Sequence, residues 1–510
     1  MDTIYERRMR QMSSTIRAKP DWMEALKNAE TCAVWAAEAR AKELTDIEFR
    51  YVLDELAYYS LLHSPGSNAR LSAAAGVWFS DTLIDAETTN ELKEYAILLK
   101  SIPECLKDWH PSVRSRVLNL VDPSLYPLIY SRSKLCRQPC TSLQASLNPS
   151  VPGGFPGSLD KWHGALSGSN YYLPTIVKRQ ALHASDKFNW LPSEFRVDDN
   201  GAVTVESYIN NLHPIWHAPL YPIIAGVFSK LLPLLEQVIT DLVHPRKARV
   251  KLVPGDYYIS NMPLPPYTYN YSEDHEEWKQ YATFVPPQPW PFVTSERPIS
   301  PYSLCGRRLQ AIVKMSSIEL TSKNPNYGGE DWDVVGLANE RIIATGIFFY
   351  DVANIAESSL DFCEALSVQC LEYEPGDADA ISMVYGIDRD LVYSGTSLSE
   401  EVGGVAIKDG RCLVFPNTLQ YFMPELVLAD GTKPGHCKML TLYFVDPSTR
   451  IPSTEIVPPQ QKDWWIEDVL SSEPFRSMPH LIVDSIMDKI EYPISLKEAK
   501  EIRQEMDHSG

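Results

Sequence analysis

Apolar positions recur at helical spacing through the first hundred residues. Asp21 precedes Trp22, Leu26, Ala29, Ala33 and Ala37 on one face, and Thr45-Asp46-Ile47-Glu48 forms a capping box ahead of Phe49, Val52, Leu56 and Tyr59. Two packed helices are predicted. A further helical stretch follows Ser80-Asp81, runs through Leu92 and Leu99, and stops at Pro103. Between Val117 and Tyr130, Pro123 and Pro127 forbid a continuous helix, so a short strand or extended segment is expected.

Residues 136–170 are rich in Pro, Ser and Gly, with Val151-Pro152-Gly153-Gly154 among them, and read as a long surface loop. Glu194 to Val197 and Val203 to Ile209 flank Asp198-Asp199-Asn200-Gly201, whose Asn-Gly pair supplies the positive φ angles of a hairpin turn. Leu220 to Leu242 returns to helical spacing, and Pro233 is expected to kink or break it. Residues 254–301 are dense in Pro and aromatic rings, including Tyr257, Trp278 and Trp290, and read as a wrapping arm, because so many rings are costly to leave in water.

Strand periodicity takes over after this arm. Leu309, Ala311, Val313 and Met315 alternate with Gln310, Ile312 and Lys314. Arg341 to Tyr350 is apolar and short enough for a strand buried on both faces, and Ala380 to Tyr385, Gly404 to Lys408, Arg411 to Phe415 and Cys437 to Val445 complete the set. The crossover helices of a parallel sheet are missing, which favours a sandwich or jelly roll over a doubly wound sheet. Ser495-Leu496-Lys497-Glu498 caps a C-terminal helix. Four regions result: helical 1–135; 136–302 with hairpin, long helix and wrapping arm; a β core at 303–460; and a helical tail at 461–510.

The loop feeding the Arg341 to Tyr350 strand carries the densest chemistry. Gly328, Gly329 and Gly336 permit tight turns, and between them Asp331 and Asp333 flank Trp332. This is either a pocket at a strand mouth or a solvated turn. The 510 residues imply roughly two to four domains or one elaborated fold. A net charge of −19 disfavours nucleic acid and anionic membrane as partners and leaves a small molecule as the expected one. No apolar run is expected to reach the about 20 residues of a bilayer span, and no secretory signal opens the chain, so a cytoplasmic protein is expected; oligomeric state stays open. The nine cysteines are odd in number and scattered, which fits reduced thiols, and the lone Cys136/Cys140 spacing does not predict zinc.

Val77-Trp78-Phe79-Ser80-Asp81, Asp108-Trp109-His110-Pro111, Ser207-Tyr208-Ile209-Asn210-Asn211-Leu212-His213-Pro214, Asn339-Glu340, Phe415-Pro416-Asn417, Pro434-Gly435-His436 and Val457-Pro458-Pro459-Gln460 form a distinctive set of short stretches. Together they resemble a widespread fungal family of unknown function akin to iron(II)/2-oxoglutarate oxygenases. The resemblance implies an α+β fold: a double-stranded β-helix (jelly-roll, cupin-like) core with a helical N-terminal region and a C-terminal extension. The family pattern reads Trp-His-Val-Glu-Gly where this chain has Trp332-Asp333-Val334-Val335-Gly336, and Leu-Gln-His where it has Leu419-Gln420-Tyr421. These are the positions of a His-x-Glu…His iron triad, which needs two imidazoles and a carboxylate. Asp333, Val335 and Tyr421 do not supply that set. Where the family has Arg after Pro-Gly-His, to clamp the 2-oxoglutarate carboxylate, this chain has Cys437, and a thiol cannot make that pair.

No metal and no cofactor are therefore expected. The residues leave two classes of function open. One is a redox-neutral cyclase, isomerase, dehydratase or pericyclase of fungal secondary metabolism, with Asp333 and Tyr421 catalytic and Trp332, Val335, His436 and Cys437 lining the substrate site. The other is a catalytically dead scaffold that keeps the fold, and an oxygenase with atypical ligands is the remaining alternative.

Overall fold

The structure is a computed structural model and describes residues 2–19, 21–62, 68–72, 74, 76–110, 116–130, 132–135, 184–253, 257–260, 263, 274, 277–294, 297–366, 371, 378–388, 398–471, 475–489 and 493–509. The loop predicted at 136–170, the Cys136/Cys140 pair and much of the wrapping arm lie outside the described residues. The chain forms two compact units, interleaved in sequence: Met1–Ala75 with His244–Ser300 and Asp361–Val405, and Gly76–Val243 with Pro301–Leu360 and Ala406–Gly510. The architecture is mixed α/β, and the strand pairings described are antiparallel.

The first unit is mainly helical. Its opening helix α1, Ile4–Arg17, is set by a reciprocal capping box between Thr3 and Glu6 that the periodicity reading passed over. The helix expected from Trp22 to Ala37 is interrupted: one turn, Trp22–Ala25, gives way to α2, Ala29–Ala41, because Asn28 accepts from the amides of Glu30 and Thr31 and starts a new helix. The box at Thr45 forms as predicted and opens α3, Asp46–Leu62, with the Glu48 amide donating to Thr45 Oγ1 at 3.2 Å. Met9, Met12, Ile16, Trp35, Val52 and Leu56 form the core of this unit. The strand expected at Ala380 to Tyr385 is a helix, Ala378–Tyr385, which buries Ala380, Ile381, Val384 and Tyr385 in a second cluster. A short apolar run satisfies both periods, and here packing selects the helical one.

The second unit is built on one large sheet. Its main strands, in chain order, are β1 Trp78–Ser80, β2 Val117–Val121, β3 Ser193–Val197, β4 Val203–Val205, β5 Arg308–Leu320, β6 Ile342–Ala353, β7 Cys412–Pro416, β8 Leu419–Phe422 and β9 Gly435–Val445. Within the sheet these run β1–β7–β6–β9–β5–β2, with the two-residue strand Asp108–Trp109 beyond β2, β3 also on β5 and β4 on β3; β8 lies outside it. The β3–β4 hairpin turns at Gly201, φ 83°, and the Asp198 amide bonds the Ala202 carbonyl at 2.9 Å. Helix α4, Ala86–Lys100, is capped by Asp85.

Helix α5, Leu220–Val243, covers one face of the sheet: Phe228 packs on Phe195 and Phe444 at 5.0 and 5.1 Å. Pro233 does not end it. Ile223, Val227 and Phe228 before the proline and Leu234, Leu235 and Val238 after it are all buried, so packing holds the helix across the missing amide. This 24-residue helix, with an 18-residue stretch of mean hydropathy 1.5, corrects the expectation that no apolar stretch reaches spanning length; most of that stretch is buried within the fold. On that face Gly346 of β6 leaves room for a ring, since a Cβ there would stand 2.9 Å from Phe444.

The opposite face is the one that matters for chemistry. Register places Ile312 against Tyr443 and Lys314 against Thr441 across β5 and β9, and Thr345 against both Tyr443 and Phe415. Strand alternation puts these side chains on the side away from α5. Helix α6, Leu496–Ser509, closes the chain, with the Glu498 amide donating to Ser495 Oγ.

Candidate active site

The site lies wholly within the second unit and is organised by the glycine-broken loop. Gly329 has φ 82°, and a Cβ there would meet the Met423 carbonyl at 2.9 Å, so only glycine lets residues 329–333 run against the chain after β8. The Asp333 amide donates to the Tyr421 carbonyl at 3.2 Å, and the Tyr421 amide donates back to Asp333 at 3.0 Å. Residues that exchange both bonds in an antiparallel pair project their side chains to the same side. Asp333 and Tyr421 are thus brought together from positions far apart in sequence. Val335, two residues on, points the same way and packs with Ile312, Ile342 and Tyr443, joined by Tyr421 and Trp190.

The exit of the loop is tied down by the residues of two motifs singled out in the sequence. Asn417 Nδ2 donates to the Val335 carbonyl at 2.9 Å and to the Ile342 carbonyl at 3.2 Å. Glu340 accepts from the Leu337 amide at 2.7 Å and the Trp190 amide at 3.0 Å. Gly336, φ 73°, sits against it, and a Cβ would stand 2.3 Å from Glu340 Oε2. Gly336→Ala is expected to destabilise the protein by about 2–3 kcal/mol in urea denaturation, from left-handed strain and displacement of Glu340. Gly328→Ala, whose Cβ meets nothing within 4 Å, is expected to stay within about 0.5 kcal/mol of wild type. Equal effects at the two glycines would refute this account of the loop.

Alternation separates two other candidates from this group. Trp332 packs on Phe422 with ring centroids 5.2 Å apart, which is the cross-strand pair on the far side of the ribbon from Asp333 and Tyr421. It does not wall the same space. His436 and Cys437 are neighbours in β9 and point apart. Cys437 is fully buried opposite Ile318, on the face of Lys314, and burial, with Asp351 adding, pushes its thiol up to about 12. It is no nucleophile at neutral pH. His436 faces Asp351 at 2.9 Å on the other side, beside Lys438, which bonds Asp351 at 2.6 Å.

Sequence reasoning missed Lys314 and Tyr443. Lys314 is half-buried, and although burial disfavours its ammonium, the carboxylates of Asp122, Glu330 and Asp333 raise its pKa and keep it charged. Its neighbour by alternation, Ile312, belongs to the Val335 cluster, and that shared face was the available signal. Loss of hydration raises the Asp333 carboxyl, Glu330 adds to this, and the Val334 amide and Lys314 oppose it. By surface area the residue is exposed, so its carboxyl keeps access to solvent. Burial pushes the Tyr421 phenol well above its ordinary value, with Tyr443 and Glu330 adding, so Tyr421 is a neutral hydrogen-bond donor. A carboxyl, an isopropyl and a neutral phenol do not fit an iron(II) facial triad. Among the described residues no group of three His, Cys, Asp or Glu side chains is placed to hold a metal.

The family model described as Protein of unknown function (DUF4246) matches residues 46–468. The chain belongs to that family. No curated protein matches this DUF4246 member. Among solved structures it is similar to IDO from Bacillus thuringiensis, at 10% identity and TM-score 0.16, over 27% of this chain and 47% of that one. It is similar to a bsmA homologue from Methylobium petroleophilum, at 9% identity and TM-score 0.18, over 29% and 45%. The chain thus spans less than half the length of either. A third is the Fe(II)/α-ketoglutarate-dependent dioxygenase TqaL, at 9% identity and TM-score 0.21, over 74% of this chain and 96% of that one.

Proposed function

We propose that the protein is a redox-neutral enzyme that transforms a small molecule without a metal, as a cyclase, isomerase, dehydratase or pericyclase. Its scaffold on this reading is a double-stranded β-helix akin to the iron(II)/2-oxoglutarate oxygenases, with the ligand positions replaced, in the fungal secondary-metabolite setting that the resemblance implies. The observation that carries the reading is the two-bond pairing of Asp333 with Tyr421, which sets a carboxyl and a phenol on one side of a ribbon, toward Lys314 and Tyr443. A carboxyl with a raised pKa exchanges protons closer to neutrality than an ordinary Asp, and the neutral phenol steadies a developing oxyanion by donating a hydrogen bond.

Iron binding tests the metal-free part directly. Protein exposed to iron(II) and desalted is expected to retain well under one equivalent, and a chelator is expected to leave product formation unchanged. Stoichiometric iron with 2-oxoglutarate turnover would overturn the reading.

A further inference from the structure

Donors and cationic charge outnumber free acceptors on the inner face of the sheet. Lys314 stands on that face of β5, two pairs along from the Ile312–Tyr443 pair and on the same side as Ile312 and Cys437. Among the described residues its ammonium has neither an ion pair nor a hydrogen bond. Of the three carboxylates whose charges reach it, Asp122 accepts from Arg503 at 2.7 Å and from Ser124, Glu330 accepts the Tyr327 hydroxyl at 2.7 Å, and Asp333 accepts the Val334 amide.

Four further donors converge on the same face. The hydroxyls of Tyr421 and Tyr443 have no hydrogen-bond partner among the described residues, and Tyr421 neighbours both Tyr443 and Lys314. Thr345, opposite Tyr443 in register, has a buried hydroxyl without a partner. Trp190, whose ring lies 5.6 Å from that of Tyr443, buries an unpartnered indole N–H. Buried donors left without acceptors are costly and rare, so their gathering around one ammonium describes the complement of an anionic acceptor.

We propose that Lys314, with the Tyr421 and Tyr443 hydroxyls, forms a carboxylate subsite, so that the substrate is a small organic acid. The inference rests on the proposed function and names its substrate class. Asp333 and Glu330 limit the charge the subsite accepts: a monoanionic carboxylate fits one ammonium, whereas a phosphate dianion meets repulsion from both. The carboxylate end docks on Lys314, and Asp333 is left to exchange a proton with another part of the same molecule.

Calorimetric titration with benzoate and cinnamate, against benzamide and cinnamamide as neutral partners of the same shape, tests this. The acids are expected to bind at about 1 mM or tighter, and roughly tenfold or more tighter than their amides. Lys314→Met is expected to erase the difference and Lys314→Arg to keep part of it. Tyr443→Phe, which removes one hydroxyl, is expected to weaken the acids by roughly three- to tenfold with melting unchanged, and serves if Lys314→Met does not fold. Equal binding of acid and amide, no binding of either acid, or wild-type binding by Lys314→Met or Tyr443→Phe would each overturn the subsite. Displacement of benzoate by inorganic phosphate as readily as by cinnamate would overturn the carboxylate assignment. The outcome is separable from the acid/base reading: Lys314-dependent binding with Asp333→Asn turnover intact removes that reading and leaves the subsite standing. The reverse pattern removes only the subsite.

Discussion

Asp333→Asn is expected to lower turnover by roughly 10²–10⁴-fold while leaving the melting temperature near wild type, because it keeps the shape of the side chain and removes the ionisable proton. The backbone bonds to Tyr421 use main-chain atoms and survive the change. Tyr421→Phe removes only a hydroxyl that has no partner among the described residues, so it too is expected to cost activity rather than stability. The pH profile separates the roles of Asp333. As a general acid it must be protonated, so kcat/KM falls as pH rises through its raised pKa; as a general base, kcat/KM rises through the same value. Either limb disappears in Asp333→Asn. Trp332→Ala is expected to leave turnover close to wild type, since that ring packs on Phe422 across the ribbon. If a deletion strain loses its product and Asp333→Asn and Tyr421→Phe proteins both restore it fully, the pocket is no active site and the proposed function fails.

Much of this site was legible before the fold was known, and the parts that were not share one cause. The capping box at Thr45, the N-cap at Ser495, the Asn-Gly hairpin and the strands around Ile342 and Leu440 follow from local chemistry, which sequence exposes directly. The pairing of Asp333 with Tyr421 came from motif positions. What failed was the assignment of faces. A strand's alternation divides its residues into two sets without saying which set is inside. Lys314 reads as the polar, solvent-facing member of its strand until the register, Lys314 on Thr441 and Ile312 on Tyr443, puts it on the inner face. Trp332 and His436 were grouped with Asp333 and Cys437 as sequence neighbours, and the same alternation sends them away. The continuous helix through Pro233 and the helix at Ala380 depend instead on what packs against them, which no local pattern contains.

Arg503→Met is expected to lower stability by about 3–5 kcal/mol at neutral pH, the largest structural effect of any single change considered. Arg503 is buried on α6 and donates to both Asp108 and Asp122 at 2.7 Å, with a second bond to Asp108 at 2.9 Å. Met fills much of the same volume, and the packing of Ile494, Leu496, Ala499 and Ile502 on Tyr126 and Phe188 still docks the helix, so a folded variant is expected. What it loses is the countercharge of two carboxylates. Burial works against the Asp122 carboxylate, but Lys314, Ser124 and Arg503 together hold its pKa below the ordinary value. A depressed carboxyl contributes stability above its unfolded pKa of about 3.9, and that contribution is lost as pH falls through the folded value. Without Arg503 the Asp122 pKa rises, so the gap between variant and wild type is widest at neutral pH and narrows in acid. Urea denaturation at the two pH values checks this, and a gap of constant size would assign the loss to packing instead of charge. Arg503→Lys restores one charge without the fork that reaches both partners, and is expected to recover only part of the stability. The same change bears on the carboxylate subsite: Asp122 released from Arg503 turns more of its charge on Lys314, and benzoate binding is expected to weaken with it.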